Sequence, residues 1–276
     1  MTAAAVQPPL APPLGPGDQI APGYEVIAHV SRNQVLDVYD AWSAERECRC
    51  VLKTLRPDSR GVERRERRLR YEGELLLRLA HPHLVAAYEL IEQPETIVVL
   101  ETLTGVTLDA LLEELPRRLP LDDVLGLGVQ LCSAVGYLHR GGVLHLDVKP
   151  GNVVCPETGQ IKLIDLSLAR PPGVVRGGLG TSGYRPPEQE EGGEVTAAAD
   201  VWAIGALLWE AAAGSPWADS RVDLRDRRRV PAEFASAIGA SLDDDPRRRP
   251  TVAALAQALD DLLPVDLRRR SARTSL

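Results

Sequence analysis

The chain has 276 residues, enough for one large core or two lobes, and its 44% hydrophobic and 26% charged content is that of an ordinary globular protein. With 32 basic against 39 acidic side chains, the net charge of −7 argues against a dedicated nucleic-acid binder. Four scattered cysteines exclude a disulfide scaffold, and the absence of a C-x-x-C pair argues against a zinc site. These features predict a protein of the reducing cytoplasm.

The start of the chain has little apolar periodicity. Residues 1–22 contain six prolines and are predicted to be a disordered Pro/Ala-rich leader outside the fold. This start also lacks the basic flank and apolar block of a signal peptide. No continuous apolar run reaches the roughly 18 residues that span a bilayer, so no membrane partner is expected.

The first part of the chain has short runs of β-forming residues around one helical pattern. YEVIAHV, VLDVYDAW and CRCVLKTL predict an antiparallel meander, because branched and aromatic residues dominate each run. Residues 60–80 have helical spacing, with Leu69, Glu72, Leu76 and Leu79 at steps of three and four, and His81-Pro82 ends that helix. LVAAYELIE and TIVVLETL complete a small sheet that carries one helix.

After Gly105 the pattern becomes mainly helical. The predicted helices are LDALLEELP, DDVLGLGVQLCSAVGYLHRGG, TAAADVWAIGALLWEAAAG, PAEFASAIGASL and TVAALAQALDDLL. NVVC and IKLIDLS predict a strand pair joined by the turn PETGQ. We therefore predict an α+β protein with a β-rich part at residues 23–102, a mainly helical part at 103–265 and a basic flexible tail at 266–276.

One loop concentrates residues that carry chemistry. VLHLDVKPGNVV, residues 143–154, contains Asp147, Lys149 and Asn152, and Asp165 follows at the end of the predicted strand pair. Phosphoryl transfer needs a carboxylate for the attacking hydroxyl, a lysine for the transferred phosphate, and Asn and Asp oxygens for Mg²⁺. Any one of these residues is more typical of a capped polar turn. The set at this spacing predicts phosphoryl transfer.

These motifs resemble those of the eukaryotic-type Ser/Thr protein kinase family, in the branch also found in bacteria. His145-Leu146-Asp147 stands for H-R-D, Asp165-Leu166-Ser167 for D-F-G, and Pro186-Pro187-Glu188 for A-P-E. Further matches are Lys53 in CVLK, Asp200 to Gly205, and Asp245 to Pro250, in which Arg249 pairs with Glu188. The resemblance covers residues 24–263 and implies a bilobal α+β kinase fold that uses ATP and Mg²⁺ on a Ser or Thr of a protein substrate.

The resemblance also implies a role for each matching residue. Lys53 holds the α- and β-phosphates of ATP, and Glu72 fixes the orientation of Lys53. Glu74 is the competing candidate for this pairing, but it lies on a different face of the helix.

In the catalytic loop, the resemblance makes Asp147 the base, Lys149 the clamp on the γ-phosphate, and Asn152 and Asp165 the Mg²⁺ ligands. Thr181 braces Asp147 and Lys149, as in Ser/Thr rather than tyrosine kinases. The nucleotide pocket is expected to include a gatekeeper, a hinge and apolar walls: Leu100, Glu101, Leu103, Val38, Val51 and Val154.

Three positions depart from the family pattern. Ser31 to Val38 stands where the family has its glycine-rich phosphate loop, yet it contains no glycine, which predicts weak ATP binding or a loop held differently. Leu166 replaces the Phe of D-F-G. Leu146 replaces an arginine that receives an activation-segment phosphate, and the segment LARPPGVVRGGLG contains no hydroxyl, so we expect activity without that switch.

An active Ser/Thr protein kinase is the leading interpretation. Of the 32 basic residues only three are lysine, and two of these, Lys53 and Lys149, lie where a kinase needs one. The alternative is a pseudokinase scaffold or regulator, suggested by the glycine-free loop. A small-molecule phosphotransferase shares the Asp and Asn chemistry, but Glu188 and Arg249 resemble the protein-substrate half of the kinase fold. The sequence does not predict an oligomeric state.

Overall fold

The computed structural model describes residues 11–114, 118–219 and 221–264. The chain divides into two compact units. Among the described residues, the first unit contains 11–79 and 86–102, and the second contains 80–85, 103–114, 118–219 and 221–264.

The first unit is built on a six-stranded sheet in which every neighbouring pair is antiparallel. The strand order is β1-β2-β3-β4-β6-β5. The strands are β1 (Gln19–Ala21), β2 (Tyr24–Arg32), β3 (Leu36–Ser43), β4 (Cys48–Leu55), β5 (Ala87–Ile91) and β6 (Ile97–Glu101). The predicted meander is therefore present as β2, β3 and β4, since short turns make strands that are adjacent in sequence adjacent in the sheet.

One helix, α1 (Glu63–Arg78), packs on this sheet. It buries Leu69, Leu75 and Leu76, and its exposed positions include four arginines, Arg64, Arg67, Arg68 and Arg78. Gly73 lies at the closest approach, because a Cβ atom there would be 2.8 Å from a side-chain carbon of Leu90. The absence of a side chain lets the helix axis come near to the sheet.

The leader prediction is wrong for residues 19–21, which form β1. The preceding residues also run beside β2: Gly17 N–H donates to the carbonyl of Val26, and Val26 N–H donates to the carbonyl of Asp18. Three residues have too little pattern of their own to predict a strand, and pairing with β2 supplies the order. Residues 1–10 of the predicted leader, and the predicted tail 266–276, lie outside the described residues.

The second unit is mainly helical. Its helices are α2 (Leu108–Glu114), α3 (Leu121–Arg140), α4 (Pro187–Glu190), α5 (Ala197–Ala213), α6 (Ala232–Ser241) and α7 (Val252–Asp260). Nearly all of α5 is buried, where it contacts α3, α6 and α7. It begins at Thr196, whose side chain accepts from Ala198 N–H, and ends at Gly214 in the left-handed conformation, with φ of 78°.

Helix α3, although it is not a continuous apolar run, has the length and the mean hydropathy, 1.2, that a membrane-spanning helix can have. Half of that apolar window is buried inside the protein. Gly128 on α3 lies against Leu208 of α5 and Leu259 of α7. The apolar residues of α3 thus pack inside the second unit, as in the core helix of a folded domain.

Two small sheets complete the second unit. β7 (Val106–Thr107), β8 (Val153–Cys155) and β9 (Lys162–Leu163) form one, in which β8 and β9 are the predicted strand pair. β10 (Gly173–Arg176) pairs with β11 (Gly192–Val195), and neither strand was predicted. These glycine-containing strands lie on either side of α4 in the sequence, so their order depends on a contact that local pattern does not reveal.

Residues 80–85 belong to the second unit because backbone hydrogen bonds tie them to β9. Val85 N–H donates to the carbonyl of Leu163 at 3.1 Å, and Leu163 N–H donates to the carbonyl of His83 at 2.9 Å. Lys162 adds a hydrogen bond of 3.2 Å from Nζ to the carbonyl of Leu84. Lys162, the third lysine of the chain, thus helps to hold residues 80–85 against β9.

Candidate active site

The first unit holds a buried ion pair. Lys53 Nζ on β4 lies 2.8 Å from Glu72 Oε1 on α1, and the two residues are 7% and 1% exposed. Burying two charges is costly unless each one is paired, so a buried pair on two separate elements needs a reason beyond stability. Glu74 is exposed. The structure therefore brings Lys53 together with Glu72, and Glu74 faces solvent.

The sheet register places the candidate apolar wall around Lys53. Val38 on β3 is directly opposite Lys53, and Val51, two residues before Lys53 on β4, is opposite Leu100 on β6. Residues opposite each other, or two apart on one strand, share a face of the sheet. Glu101 follows Leu100 at the end of β6, whereas Leu103 and Val154 belong to the second unit.

The second unit holds the catalytic-loop candidates around one carboxylate. Asp147 Oδ1 accepts hydrogen bonds from Thr181 N–H, at 2.9 Å, and from Thr181 Oγ1, at 2.7 Å. Lys149 Nζ donates to Thr181 Oγ1 at 2.9 Å and lies 3.4 Å from Asp147 Oδ2. The Asn152 amide group donates to the Asp147 carbonyl and to Asp147 Oδ2. Three residues of one loop and Thr181, which lies 34 positions after Asp147, thus form one polar cluster.

A buried aspartate accepts hydrogen bonds from the backbone just before Asp147. Asp200 on α5 is 0% exposed and accepts from the N–H groups of His145, at 2.9 Å, and Leu146, at 2.8 Å. His139 Nε2 lies 2.7 Å from Oδ2 of this carboxylate, the oxygen that also accepts from His145 N–H. Burial raises the pKa of Asp200, but the hydrogen bonds and charge interactions with His139 and His145 together outweigh it, so the net pKa is below its usual value.

Two of the loop residues have unusual backbone conformations. Leu146 has φ of 62° and Asp165 has φ of 65°, the left-handed region that non-glycine residues seldom occupy. Asp165 Oδ1 accepts from Ser167 N–H at 3.1 Å, and Leu166 between them is 1% exposed. Strained backbone of this kind persists only where the surroundings enforce it, and it often marks a functional loop.

The segment before α4 is fixed to the catalytic loop. Gly180 has φ of 91°, and a Cβ atom there would lie 2.8 Å from the carbonyl oxygen of Leu146, so only glycine fits. Gln189, 1% exposed, donates from Nε2 to the carbonyls of Leu146 and Leu179 at 2.9 Å each. Thr181 reaches Asp147 because of these contacts.

The predicted pairing of Glu188 with Arg249 is present. Arg249 Nη1 and Nη2 donate to the two carboxylate oxygens of Glu188 at 2.6 and 2.9 Å, and the Arg249 side chain is fully buried. The guanidinium carbon also lies 4.9 Å from the centre of the Trp202 ring. This bidentate pair joins α4 to the segment before α7.

Sequence reasoning did not single out His139 or Gln189. Both act on backbone or carboxylate groups more than 40 residues away, through the contacts with Asp200 and Leu146. A histidine in an apolar helix and a glutamine after Pro-Pro-Glu carry no chemical pattern of their own. Only the fold identifies their partners.

Comparison with known proteins places this geometry in a family. The model of the protein kinase domain matches residues 24–275. A probable serine/threonine-protein kinase of Streptomyces coelicolor is 30% identical over 239 residues, which cover 80% of this chain and 35% of that protein. PknA of Corynebacterium glutamicum is 32% identical over 222 residues, which cover 72% of this chain and 47% of PknA.

The solved structures agree with the sequence comparison. A double mutant of the kinase domain of Mycobacterium tuberculosis PknI superposes with a TM-score of 0.76 at 25% identity, covering 90% of this chain and 99% of that domain. This confirms the predicted α+β kinase fold. The chain spans between a third and a half of the length of the two curated relatives above. The family match over residues 24–275 shows that this chain belongs to the protein kinase domain family.

Proposed function

We propose that the chain is a Ser/Thr protein kinase that transfers the γ-phosphate of ATP to a protein hydroxyl with the help of Mg²⁺. The observation that carries the proposal is the Asp147–Thr181–Lys149 cluster, in which one threonine hydroxyl donates to the carboxylate and accepts from the ammonium group. Similarity to bacterial Ser/Thr kinases supports the same activity. The retained charged residues favour an active enzyme over a pseudokinase; they are Lys53, Glu72, Asp147, Lys149 and Asp165.

The cluster suits a reaction that depends on positioning. Thr181 and Asn152 together direct four hydrogen bonds at Asp147, three of them at its carboxylate oxygens, so the carboxylate has one orientation. In the proposed step the substrate hydroxyl oxygen forms a bond to the γ-phosphorus, and the bond from that phosphorus to the bridging oxygen of ADP breaks. The hydroxyl proton passes to Asp147, and Lys149 neutralises charge on the transferred group.

The residues available for Mg²⁺ fit that ion. The Asn152 amide nitrogen is engaged by Asp147, which directs the amide oxygen toward another partner. Asp165 supplies a carboxylate in a fixed backbone conformation. Both are the oxygen ligands that Mg²⁺ prefers, and the ion would neutralise phosphate charge when bound. In the first unit, Glu72 holds Lys53 so that its ammonium group can meet the α- and β-phosphates.

The test is phosphate transfer from labelled ATP to a generic protein substrate, with phosphoamino-acid analysis of the product. The intact chain should label serine or threonine, and Asp147→Asn should lower kcat by about 10²- to 10⁴-fold, the usual contribution of a general base. Asp123→Asn, an exposed aspartate at the start of α3, is the matched control and should behave as wild type. Transfer that is absent, or equal in Asp147→Asn, contradicts the proposal.

Partners and location stay predictions from the sequence. A protein substrate and ATP follow from the proposed reaction. The absence of nucleic-acid and membrane partners, and a cytoplasmic location, rest on composition alone. Fractionation of cells that express the tagged chain would test the location.

A further inference from the structure

The turn between β2 and β3, residues 33–35, is closed by its own side chain. Asn33 Oδ1 accepts hydrogen bonds from the backbone N–H groups of Val35 and Leu36, both at 2.8 Å. Asn33 N–H in turn donates to the carbonyl of Leu36 at 3.0 Å. This is the stretch that stands in the place of the glycine-rich phosphate loop, so two backbone donors of that loop already have an oxygen partner.

Two carbonyl groups of the same turn accept hydrogen bonds from Arg56. Arg56 Nη1 donates to the Asn33 carbonyl and Arg56 N–H to the Val35 carbonyl, each at 2.9 Å. Arg56 is 8% exposed and forms two further hydrogen bonds of 2.9 Å to the carboxylate of Asp58. The turn is therefore attached to the segment that follows β4, and it is preformed rather than free to change shape.

A buried carboxylate links β2 and β3 next to the turn. Asp37, 1% exposed, accepts from Arg32 Nε at 2.6 Å, from Arg32 Nη2 at 2.9 Å, and faces His29 Nε2 at 3.0 Å. Arg32 and Asp37 are also opposite each other in the β2–β3 register. Side-chain hydrogen bonds thus determine the conformation of this hairpin, whereas glycines would make it flexible.

We propose that the Asn33 carboxamide is an internal competitor of nucleotide phosphate. Backbone N–H groups in a turn can donate hydrogen bonds to a phosphate oxygen. Here the side-chain oxygen of Asn33, at 2.8 Å, accepts from these same N–H groups and carries no negative charge. An ATP phosphate oxygen has to displace Asn33 Oδ1 before it can use Val35 N–H and Leu36 N–H. Asn33 therefore lowers the affinity for ATP. The inference rests on the proposed function, since it requires that the chain binds ATP.

Asn33→Ala separates competition from flexibility, because it removes the oxygen but leaves a Cβ atom. We expect the Kd of Mg-ATP, measured by calorimetry on the full chain, to fall roughly tenfold, the weight of one to two lost hydrogen bonds. The KM for ATP should fall with it. The Kd of adenosine, which has no phosphate, should not change. Amide hydrogen exchange at Val35 and Leu36 should become faster without nucleotide.

Two further variants keep the test decisive. Asn33→Asp retains the acceptor oxygens and adds a charge that repels phosphate, so its Kd for Mg-ATP should rise above that of wild type. Gln34→Ala is the matched control. Ser59 Oγ donates to the backbone carbonyl of Gln34, and the substitution keeps this carbonyl. The Kd of this variant for Mg-ATP should equal that of wild type.

Each contrary outcome has its own meaning. Unchanged or weaker Mg-ATP binding by Asn33→Ala overturns the inference while leaving the proposed function intact. Tighter binding by Asn33→Gly but not by Asn33→Ala also overturns it, because flexibility would then be the cause. Equal tightening for adenosine overturns it as well. If neither wild type nor any variant binds Mg-ATP, the proposed function fails and the inference fails with it.

Discussion

Lysine is rare in this chain, and each of its three lysines has a specific partner. Lys53 pairs with Glu72, Lys149 with Thr181 and Asp147, and Lys162 with the backbone carbonyl of Leu84. A compact ammonium group donates in several directions from the end of a flexible stem, whereas a guanidinium group is planar and larger. Arginine would not fit these three settings equally well.

The Lys53–Glu72 pair gives the first prediction. Glu72→Gln removes the charge that orients Lys53, and we expect kcat/KM for ATP to fall by about 10- to 150-fold, which corresponds to the roughly 1.5–3 kcal/mol of a charge-assisted hydrogen bond. Glu74→Gln changes an exposed glutamate two residues later and should leave kcat/KM unchanged. The reverse pattern would assign the pairing role to Glu74.

Thr181 gives the second prediction. Thr181→Ala removes the hydroxyl group between Asp147 and Lys149, and kcat should fall by about 10- to 100-fold, because one charge-assisted hydrogen bond on each side is lost. Thr181→Ser keeps the hydroxyl and should retain most of the activity. Equal losses in the two variants would mean that the methyl group, rather than the hydroxyl group, matters at this position.

At the scale of elements, apolar packing surrounds Leu146 in the catalytic loop. Leu146 is 2% exposed in a cluster with Leu144, Val175, Val195 and Ala199. Val175 and Val195 come from β10 and β11, so the strand pair and the catalytic loop share this cluster. Apolar contacts of this strand pair thus connect the segment 168–180 to the catalytic loop.

Two adjacent valines on β10 test this packing. Val175 is 6% and Val174 is 83% exposed. Val175→Ala should lower the free energy of unfolding by about 1–3 kcal/mol, since buried methyl groups are lost, and should also reduce kcat because Leu146 adjoins Asp147. Val174→Ala should change neither. Equal stability of the two variants in urea unfolding would contradict the role of the cluster.

The same segment predicts how the enzyme responds to phosphatase. Residues 168–180 contain no Ser, Thr or Tyr, so activity should be unchanged after treatment with a broad-specificity phosphatase. Intact mass should be recorded before and after treatment, and the rate compared at saturating ATP. Loss of activity together with loss of phosphate would show that a modification elsewhere in the chain controls the enzyme.

At the scale of the whole molecule, histidines that are neutral in the fold make its stability depend on pH. Burial, then the neighbouring His83, Arg140 and Lys162, lower the pKa of His81 from 6.5 to about 4. Burial also lowers the pKa of His83, although its hydrogen bond to the Ile161 carbonyl opposes this. Both lie in the segment 80–85 that is bound to the second unit.

The direction of the pH effect follows from these shifts. Between pH 6.5 and about 4 the unfolded chain binds more protons than the folded chain, so stability is complete above pH 6.5 and decreases as the pH falls through this range. Thermal unfolding midpoints at pH 7.5, 6.5, 5.5 and 4.5 would measure it. His81→Phe should reduce the slope between pH 6.5 and 5, and an unchanged slope would exclude His81 as its source.

Local chemistry alone was sufficient to predict much of the site. The spacing of Asp147, Lys149, Asn152 and Asp165 predicts phosphoryl transfer, and the choice of Glu72 over Glu74 follows from helix geometry. The meander β2–β4 and helix α1 were equally predictable, because their contacts lie close in sequence. Short strands such as β1, β10 and β11 were not, since pairing with distant residues, rather than their own pattern, makes them strands.

The sequence by itself determined which chemical groups are present, their order along the chain and the periodicity of the longer elements. Only the tertiary structure decided which groups meet: His139 with Asp200, Gln189 with Leu146, and Val175 with the catalytic loop. It also showed that the glycine-free turn is closed by Asn33 rather than merely stiffened. The reason is physical, since hydrogen bonds and apolar contacts depend on distance in space, which sequence separation does not specify.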